Sequence, residues 1–547
     1  MRALRFDCFV LAVASIFCCS AHQAAAADYW RDLQTSAAAQ NKADWGHWGG
    51  DAEKYSTWFS HSNRLIPIYT FGIKLDAVRG ENSVYRSKEK LKHLYGYEPE
   101  GTLNPTAEYF DQTDVARLQQ MAADAGKKRI VLFVFDGMDW QTTWNAAIQS
   151  AGKVSYTEGR GAGLHFQDYR GVETDYGYFA TSPHNEGTKV NVDTQTLKNP
   201  GGEQRGGYNW NIAGTTPWTR ASILDYCIGK CKECSQAYTD SASSATSLCS
   251  GIKTFNDSIN VDAVGRQVES VARKLQKKGF AIGVVTSVPI SHATPAAAYA
   301  NNVHRDDYQD LTRDLVGLPS VSHPEALQGV DVLIGGGWGD SKAKDKAQGA
   351  NYVPGNSYIT EADLQAIDAA QGSGGRYRVV QRTADKSGRE ILQSAADEAA
   401  AKNQRLFGMF GVNSGHLPFQ TADGKYDPTM SVRAAAEKYS AADIAENPTL
   451  ADFTLAALTV LSKNDNGFWL MVEAGDVDWA NHANNVDNSI GAVKSGDVAF
   501  KAVCDWIESH GGWDDAAVLV TADHGHYFFL EKPEMLLPPS AGATAAK

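Results

Sequence analysis

Basic residues are the scarce class in this chain: 51 Lys and Arg stand against 64 Asp and Glu in 547 residues, a formal charge of −13 at pH 7. That balance argues against a nucleic-acid backbone as the main partner, because phosphate contacts need clustered cations. It leaves small anionic substrates open, since a local metal cluster overrides global charge at short range. Long apolar runs are also missing. No stretch approaches the ~20 uninterrupted apolar residues of a spanning helix, so no membrane span is expected. Cysteine is sparse, with eight in all. Cys8, Cys18 and Cys19 lie in the first residues, which leaves Cys227, Cys231, Cys234, Cys249 and Cys504. One disulfide within the Cys227, Cys231 and Cys234 group suits an oxidising compartment, with an odd thiol left over. A zinc knuckle there lacks a second Cys or His pair at suitable spacing.

The opening reads as a secretory signal over residues 1–27. A basic Met-Arg-Ala-Leu-Arg precedes apolar Phe9 to Ala21, and Ala24 to Ala27 give a small-residue site, cut after Ala26 or Ala27. Its removal makes the chain one unit more acidic, because Arg2, Arg5 and Asp7 leave with it. The expected product is soluble and either periplasmic or secreted. A lipid anchor on Cys18 or Cys19 is disfavoured by bulky Phe17.

No linker divides residues 28–547, and we expect one catalytic domain. Leu65–Phe71 reads as a strand and Ser87–Tyr95 as a charged helix. Arg129–Phe135, a continuous apolar run ended by Asp136-Gly137, reads as a strand buried on both faces. Residues 150–220 lack periodicity and are expected as long loops near the site. Beyond them helices at 261–278, 388–402, 449–462 and 489–509 alternate with strands at 281–286, 330–334, 405–410, 468–473 and 516–521. That alternation implies an α/β three-layer sandwich with a largely parallel central sheet. Ligands of such sheets sit at the carboxyl ends of the strands.

The polar residues of interest fall at those ends. Asp136 ends one strand, Glu473 ends another, and Asp523 and His524 follow a third. Asp478 and His482, one helical turn apart, can face one cation. Carboxylates alone would suit calcium or magnesium, and the two histidines shift the expectation to zinc with a harder ion among the oxygens. Thr239-Asp-Ser-Ala-Ser-Ser-Ala-Thr-Ser-Leu-Cys-Ser-Gly-Ile-Lys-Thr254 is small and hydroxylic at its start, with no bulky side chain until Leu248. A helix starting at Asp240-Ser241 would aim free N–H groups at an anion there. The bland alternative is an N-cap in a small-residue packing seam.

Together these blocks resemble the alkaline phosphatase family over most of residues 129–526. The matching blocks are Val134-Phe-Asp-Gly-Met138, Thr239-Asp-Ser-Ala242, His292-Ala-Thr-Pro295, Val472-Glu473 with Asp478 and His482, and Thr521-Ala-Asp-His-Gly-His526. The resemblance implies an alkaline-phosphatase-like fold and a phosphomonoesterase working through a phosphoserine on Ser241. It implies two zinc ions and a magnesium. Asp136, Ser241, Asp523 and His524 would surround one zinc, Asp478 and His482 would hold the other, and Asp136, Thr294 and Glu473 the third ion. His292 also falls at the third site, where relatives carry Asp or His, so the occupant stays open. Arg305 matches the phosphate-clamping arginine, and His526 would orient Asp478 by a hydrogen bond. Trp479 departs from the Lys or His often found beside that Asp.

The family's third histidine for one zinc comes from a block downstream of Asp-His-x-His, and here no histidine follows His526. Ser60-His61-Ser-Asn-Arg-Leu-Ile-Pro-Ile-Tyr-Thr-Phe-Gly72 looks like that block with its trailing strand. A circular permutation, with residues 28–125 supplying a strand and His61 as ligand, would account for it. His416 is the other candidate. The expected substrates are small phosphate monoesters with inorganic phosphate as product. The oligomeric state is open, a homodimer among the alternatives. A phosphodiesterase of the same superfamily and a non-catalytic phosphate- or metal-binding protein are the competing readings. A sulfatase is disfavoured, because Cys249-Ser-Gly lacks the Pro and Arg its formylglycine needs.

Overall fold

Ten strands make the main sheet of the computed structural model: β1 (Leu65–Phe71), β2 (Phe110–Asp111), β3 (Arg129–Phe135), β4 (Thr174–Ala180), β5 (Ala281–Pro289), β6 (Val332–Gly336), β7 (Tyr377–Gln381), β8 (Arg405–Met409), β9 (Phe468–Ala474) and β10 (Ala516–Thr521). Across the sheet they run β7-β8-β6-β5-β9-β3-β10-β1-β4-β2. Every neighbouring pair is parallel except the two that β1 makes, with β10 and with β4. The structure describes residues 29–538 except 235, 346–347, 372–373, 413 and 428. The signal reading over residues 1–27, and the lipid alternative within it, lie outside the described residues.

The sheet follows from the apolar runs. β9 and β10 are buried at every position, as strands covered on both faces must be. The helices that position the site or cover the sheet are α1 (Trp140–Ala151), α2 (Ser241–Ser250), α3 (Ala293–Ala297), α4 (Gly388–Lys402), α5 (Leu450–Leu461), α6 (Asp476–His482) and α7 (Val486–Ser509). α4 packs on α5, α5 on α7 and α7 on α1. α5 starts where its capping box dictates: Thr449 Oγ1 accepts from the Asp452 N–H, and the Asp452 carboxylate accepts from the Thr449 N–H. The layered α/β class implied by the alternation is therefore the one observed. Among the described residues no helix is long and apolar enough to cross a membrane.

Two local expectations need correction. The helix expected at 261–278 spans only Val271–Lys277, capped by Ser270. Residues before it form a turn, with Gly265 at φ +86° and the Val268 N–H donating to the Asn260 carbonyl. The stretch expected as loops, 150–220, contains β4, which closes against β1 and β2. Its polar first half, Thr174 to Tyr176, is only half-buried and hides the strand pattern.

The N-terminal segment is stitched to the other end of the chain. Gly46–Trp48 pairs antiparallel with Phe528–Leu530, and the Tyr29 hydroxyl donates to the Met535 carbonyl at 2.9 Å. Cys231 and Cys234 form a disulfide, while Cys227, Cys249 and Cys504 are free and buried.

Candidate active site and metal centre

β9, β3 and β10 lie side by side and parallel, so their carboxyl ends deliver Glu473, Asp136 and the Asp523-His524 pair to one edge. The turn after β3 must be tight. Gly137 has φ +71°, and a Cβ there would sit 2.5 Å from His526 Cδ2, so only glycine fits. Its N–H donates to Asp523 Oδ1 at 2.9 Å, tying two strand ends together. His524 Nε2 then lies 3.2 Å from Asp136 Oδ1 and 3.5 Å from Asp523 Oδ2.

α2 brings in the serine. Asp240 is its N-cap, accepting from the Ser243 N–H at 2.9 Å, which sets Ser241 as the first helical residue. Every residue of α2 is buried, and small side chains permit that approach. Ser241 Oγ lies 3.1 Å from His524 Nε2, and Ser244 Oγ donates to the Asp523 carbonyl at 2.8 Å. Arg305 Nη1 donates to Asp240 Oδ2 at 3.0 Å, and Nη2 lies 3.4 Å from His292 Nε2.

α6 carries Asp478 and His482 on one face, with His482 Nε2 3.4 Å from Asp478 Oδ1. His526 Nε2 lies 2.6 Å from the same oxygen. His61 comes from the residues leading into β1. The Ser62 and Gly525 backbones exchange hydrogen bonds of 2.7 and 3.2 Å, which seats His61 beside the Asp523-His524 turn. Its Nε2 is 4.0 Å from Asp478 Oδ1, and its ring centroid is 4.7 Å from that of His482 and 4.4 Å from that of His524. Thr294 Oγ1 donates to Asp136 Oδ2 at 3.4 Å, and Thr286 donates to Glu473.

Among the described residues, three groups have donor atoms within 4.8 Å of one another: His61, Asp478 and His482; Asp478, His524 and His526; and Asp136, Asp523 and His524. Their chemistry fits cations. Asp136 Oδ1, Asp523 Oδ2 and Glu473 Oε1 are buried with no hydrogen-bond partner, a costly arrangement that a cation would relieve. Without one, burial and neighbouring carboxylates push Asp136 and Asp523 well above the usual carboxylate range, and burial lifts Glu473 to about 8. Burial works the same way on Asp478, but His482 and His526 outweigh it and hold that carboxyl well below its ordinary value. Burial depresses His61 well below its ordinary value, and His292 and His526 to about 3. Neutral imidazoles are the form that ligates metal.

The sequence-derived candidates Asp136, Ser241, His292, Thr294, Arg305, Glu473, Asp478, His482, Asp523, His524, His526 and His61 thus converge on one region. His416 stands apart: its ring nitrogens face the Leu417 carbonyl at 2.5 Å and Glu437 at 3.0 Å. Sequence reasoning missed Asn63. Fully buried, it accepts from the Thr239 N–H at 3.0 Å and donates to the Ala237 carbonyl at 2.9 Å, joining the His61 segment to the leader of α2. An isolated Asn carries no motif that would have flagged it.

A serine at a helix N-terminus among buried carboxylates and imidazoles, at the carboxyl edge of a largely parallel sheet, defines an α/β protein with a metal-type centre. The family model described as alkaline phosphatase matches residues 224–536, more than half of the chain, and the chain belongs to that family. Alkaline phosphatase 4 of Bacillus subtilis (strain 168) is 28% identical over 289 residues, covering 52% of this chain and 49% of that protein. Alkaline phosphatase of Escherichia coli (strain K12) is 28% identical over 311 residues, covering 55% of this chain and 60% of that protein. The chain therefore spans about half the length of the curated relatives it matches. Among solved structures, a cold-active alkaline phosphatase from Shewanella sp. aligns with a TM-score of 0.42 at 20% identity, covering 73% of this chain and 68% of that one. Asp136 and His61 precede the residues matched by the family model.

Proposed function

We propose that this chain hydrolyses small phosphate monoesters through a phosphoserine on Ser241. The observation that carries the reading is the position of Ser241 Oγ, 3.1 Å from His524 Nε2 at the N-terminus of α2, with Arg305 held at 3.0 Å by Asp240. Asp136, Asp523 and His524, with Ser241, would hold one zinc; Asp478, His482 and His61 the other; Asp136, Thr294 and Glu473 a magnesium. Cations there would lower the pKa of the serine hydroxyl, screen the phosphoryl charge and activate water.

The remaining chemistry belongs to the chain. Arg305 donates to two phosphoryl oxygens at once, and Asp240 fixes its plane. The first N–H groups of α2 face the same anion. Ser241 Oγ attacks phosphorus as the alkoxide departs on the opposite side, and water then releases inorganic phosphate and restores the hydroxyl. His526 holds Asp478 in orientation through its hydrogen bond. His292 Nε2 accepts from Arg305, while the oxygens of Asp136, Thr294 and Glu473 are the donors that suit magnesium.

His61 and β1 stand in this reading for the family's late histidine block, moved to the front of a single catalytic domain by circular permutation. β1 beside β10, the Ser62 and Gly525 pairing and the closeness of Tyr29 to Met535 support it. Residues 1–27 would direct export. The test is turnover of an aryl phosphate monoester, with zinc and magnesium, beside the matching diester. Preferred hydrolysis of the monoester is expected; preference for the diester would favour the phosphodiesterase reading, and no turnover of either would favour a binding protein.

A further inference from the structure

Two aromatic residues, Trp58 and Phe59, immediately precede the Ser60-His61 pair, and both are bonded into the metal-type centre. The Trp58 indole N–H donates to the His61 carbonyl at 3.1 Å, and the Phe59 carbonyl lies 2.7 Å from His482 Nδ1. Each ring carries a cation. Lys230 Nζ sits 4.5 Å from the Trp58 ring centroid, and Arg433 Cζ sits 3.9 Å from that of Phe59. Neither cation is ion-paired with a carboxylate among the described residues. The two cations are thus held on adjacent residues of the segment that leads into His61. Stacking uses only the face of the guanidinium, so its N–H edge stays free for a ligand.

Their position says which part of a substrate they meet. Arg305 and Asp240 lie at the Ser241 end, and contacts then run from Ser241 to His524, His61, His482 and Phe59. In-line attack by Ser241 sends the leaving group away from the serine. The open side there is the His482 side, where the His482 ring is 34% exposed and Phe59 51% exposed. The disulfide between Cys231 and Cys234 follows Lys230 directly and restrains the loop that presents it.

Resting on the phosphomonoesterase reading above, we infer that Lys230 and Arg433 form a leaving-group subsite selecting small phosphate monoesters whose alcohol bears a second anionic group. The phosphoryl group sits at Ser241, and the second anion is taken by the cations held on Trp58 and Phe59.

The experiment compares O-phosphorylated hydroxy acids of increasing chain length with their uncharged carboxamides, on the metal-loaded protein. Turnover of the carboxamides by wild type reports on the phosphomonoesterase reading independently of the subsite. For wild type, kcat/KM should favour the acids at one or more lengths. Arg433→Ala and Lys230→Ala should each lower that acid-to-amide ratio about fivefold, the scale of an exposed ion pair, through KM on the acid. Arg433→Lys should retain most of it, and added salt should erase it. Ratios unchanged by both alanine variants at every length, or no preference for the acids in wild type, would overturn the inference.

Discussion

At the scale of single side chains, the proposed reaction divides its chemistry between Ser241 and Arg305. Ser241→Ala should abolish most turnover and leave metal content near wild type, because Asp136, Asp523 and His524 remain to hold the cation. Labelled phosphate at low pH should mark wild type alone, and label on the alanine variant would refute Ser241 as nucleophile. Burial opposes the charge on Arg305, but Asp240 overrides it and keeps the guanidinium protonated. Arg305→Ala should therefore cost ~2–4 kcal/mol of transition-state stabilisation and weaken inhibition by inorganic phosphate. Lysine should rescue only part, being a point charge rather than a fork. Unchanged phosphate inhibition and kcat/KM in the alanine variant would remove the clamp assignment. Ser241 was legible in sequence because it opens a helix in a recognisable block, and Arg305 because it falls thirteen residues after His292. Asn63 was not, since its role lies in three contacts made across the fold, to Thr239, Ala237 and the Cys227 carbonyl.

Among the elements, the junction of β1 with the leader of α2 is the coupling to test. Asn63→Ala would leave the buried Thr239 N–H without its acceptor, so a loss of ~1–3 kcal/mol in denaturant unfolding is expected, with its midpoint falling and its slope kept. A variant as stable as wild type would show that the junction contributes nothing. Most strands and the longer helices could be read directly, because continuous apolar runs mark strands covered on both faces and capping residues mark helix starts. β4 could not, for its half-buried first residues are polar and Gly177 interrupts it. The helix read from Val261 failed for the opposite reason: its apolar spacing looked helical, but Gly265 turns the chain and Ser270 sets the true start.

Over the whole molecule, the buried charges predict a pH dependence that cations should remove. Histidines depressed below 6.5 in the folded chain weaken it only at lower pH, where the unfolded chain takes up their protons, so above pH 6.5 they add no further change. Carboxyls raised by burial act in the other direction: the stability they contribute while protonated is lost as pH rises through the folded value, about 8 for Glu473. Metal-free protein should therefore lose thermal stability between pH 6.5 and 8, and metal-loaded protein should lose less. Equal slopes in the two forms would contradict the assignment of these carboxyls to cations. That His61, from the front of the chain, completes a metal centre whose other ligands lie hundreds of residues later is the central proposal. Its most direct test is the metal content of purified wild type beside His61→Ala. Wild type should carry about two zinc ions and one further cation per chain, and the variant about one zinc fewer; equal zinc content in the two proteins would contradict the claim.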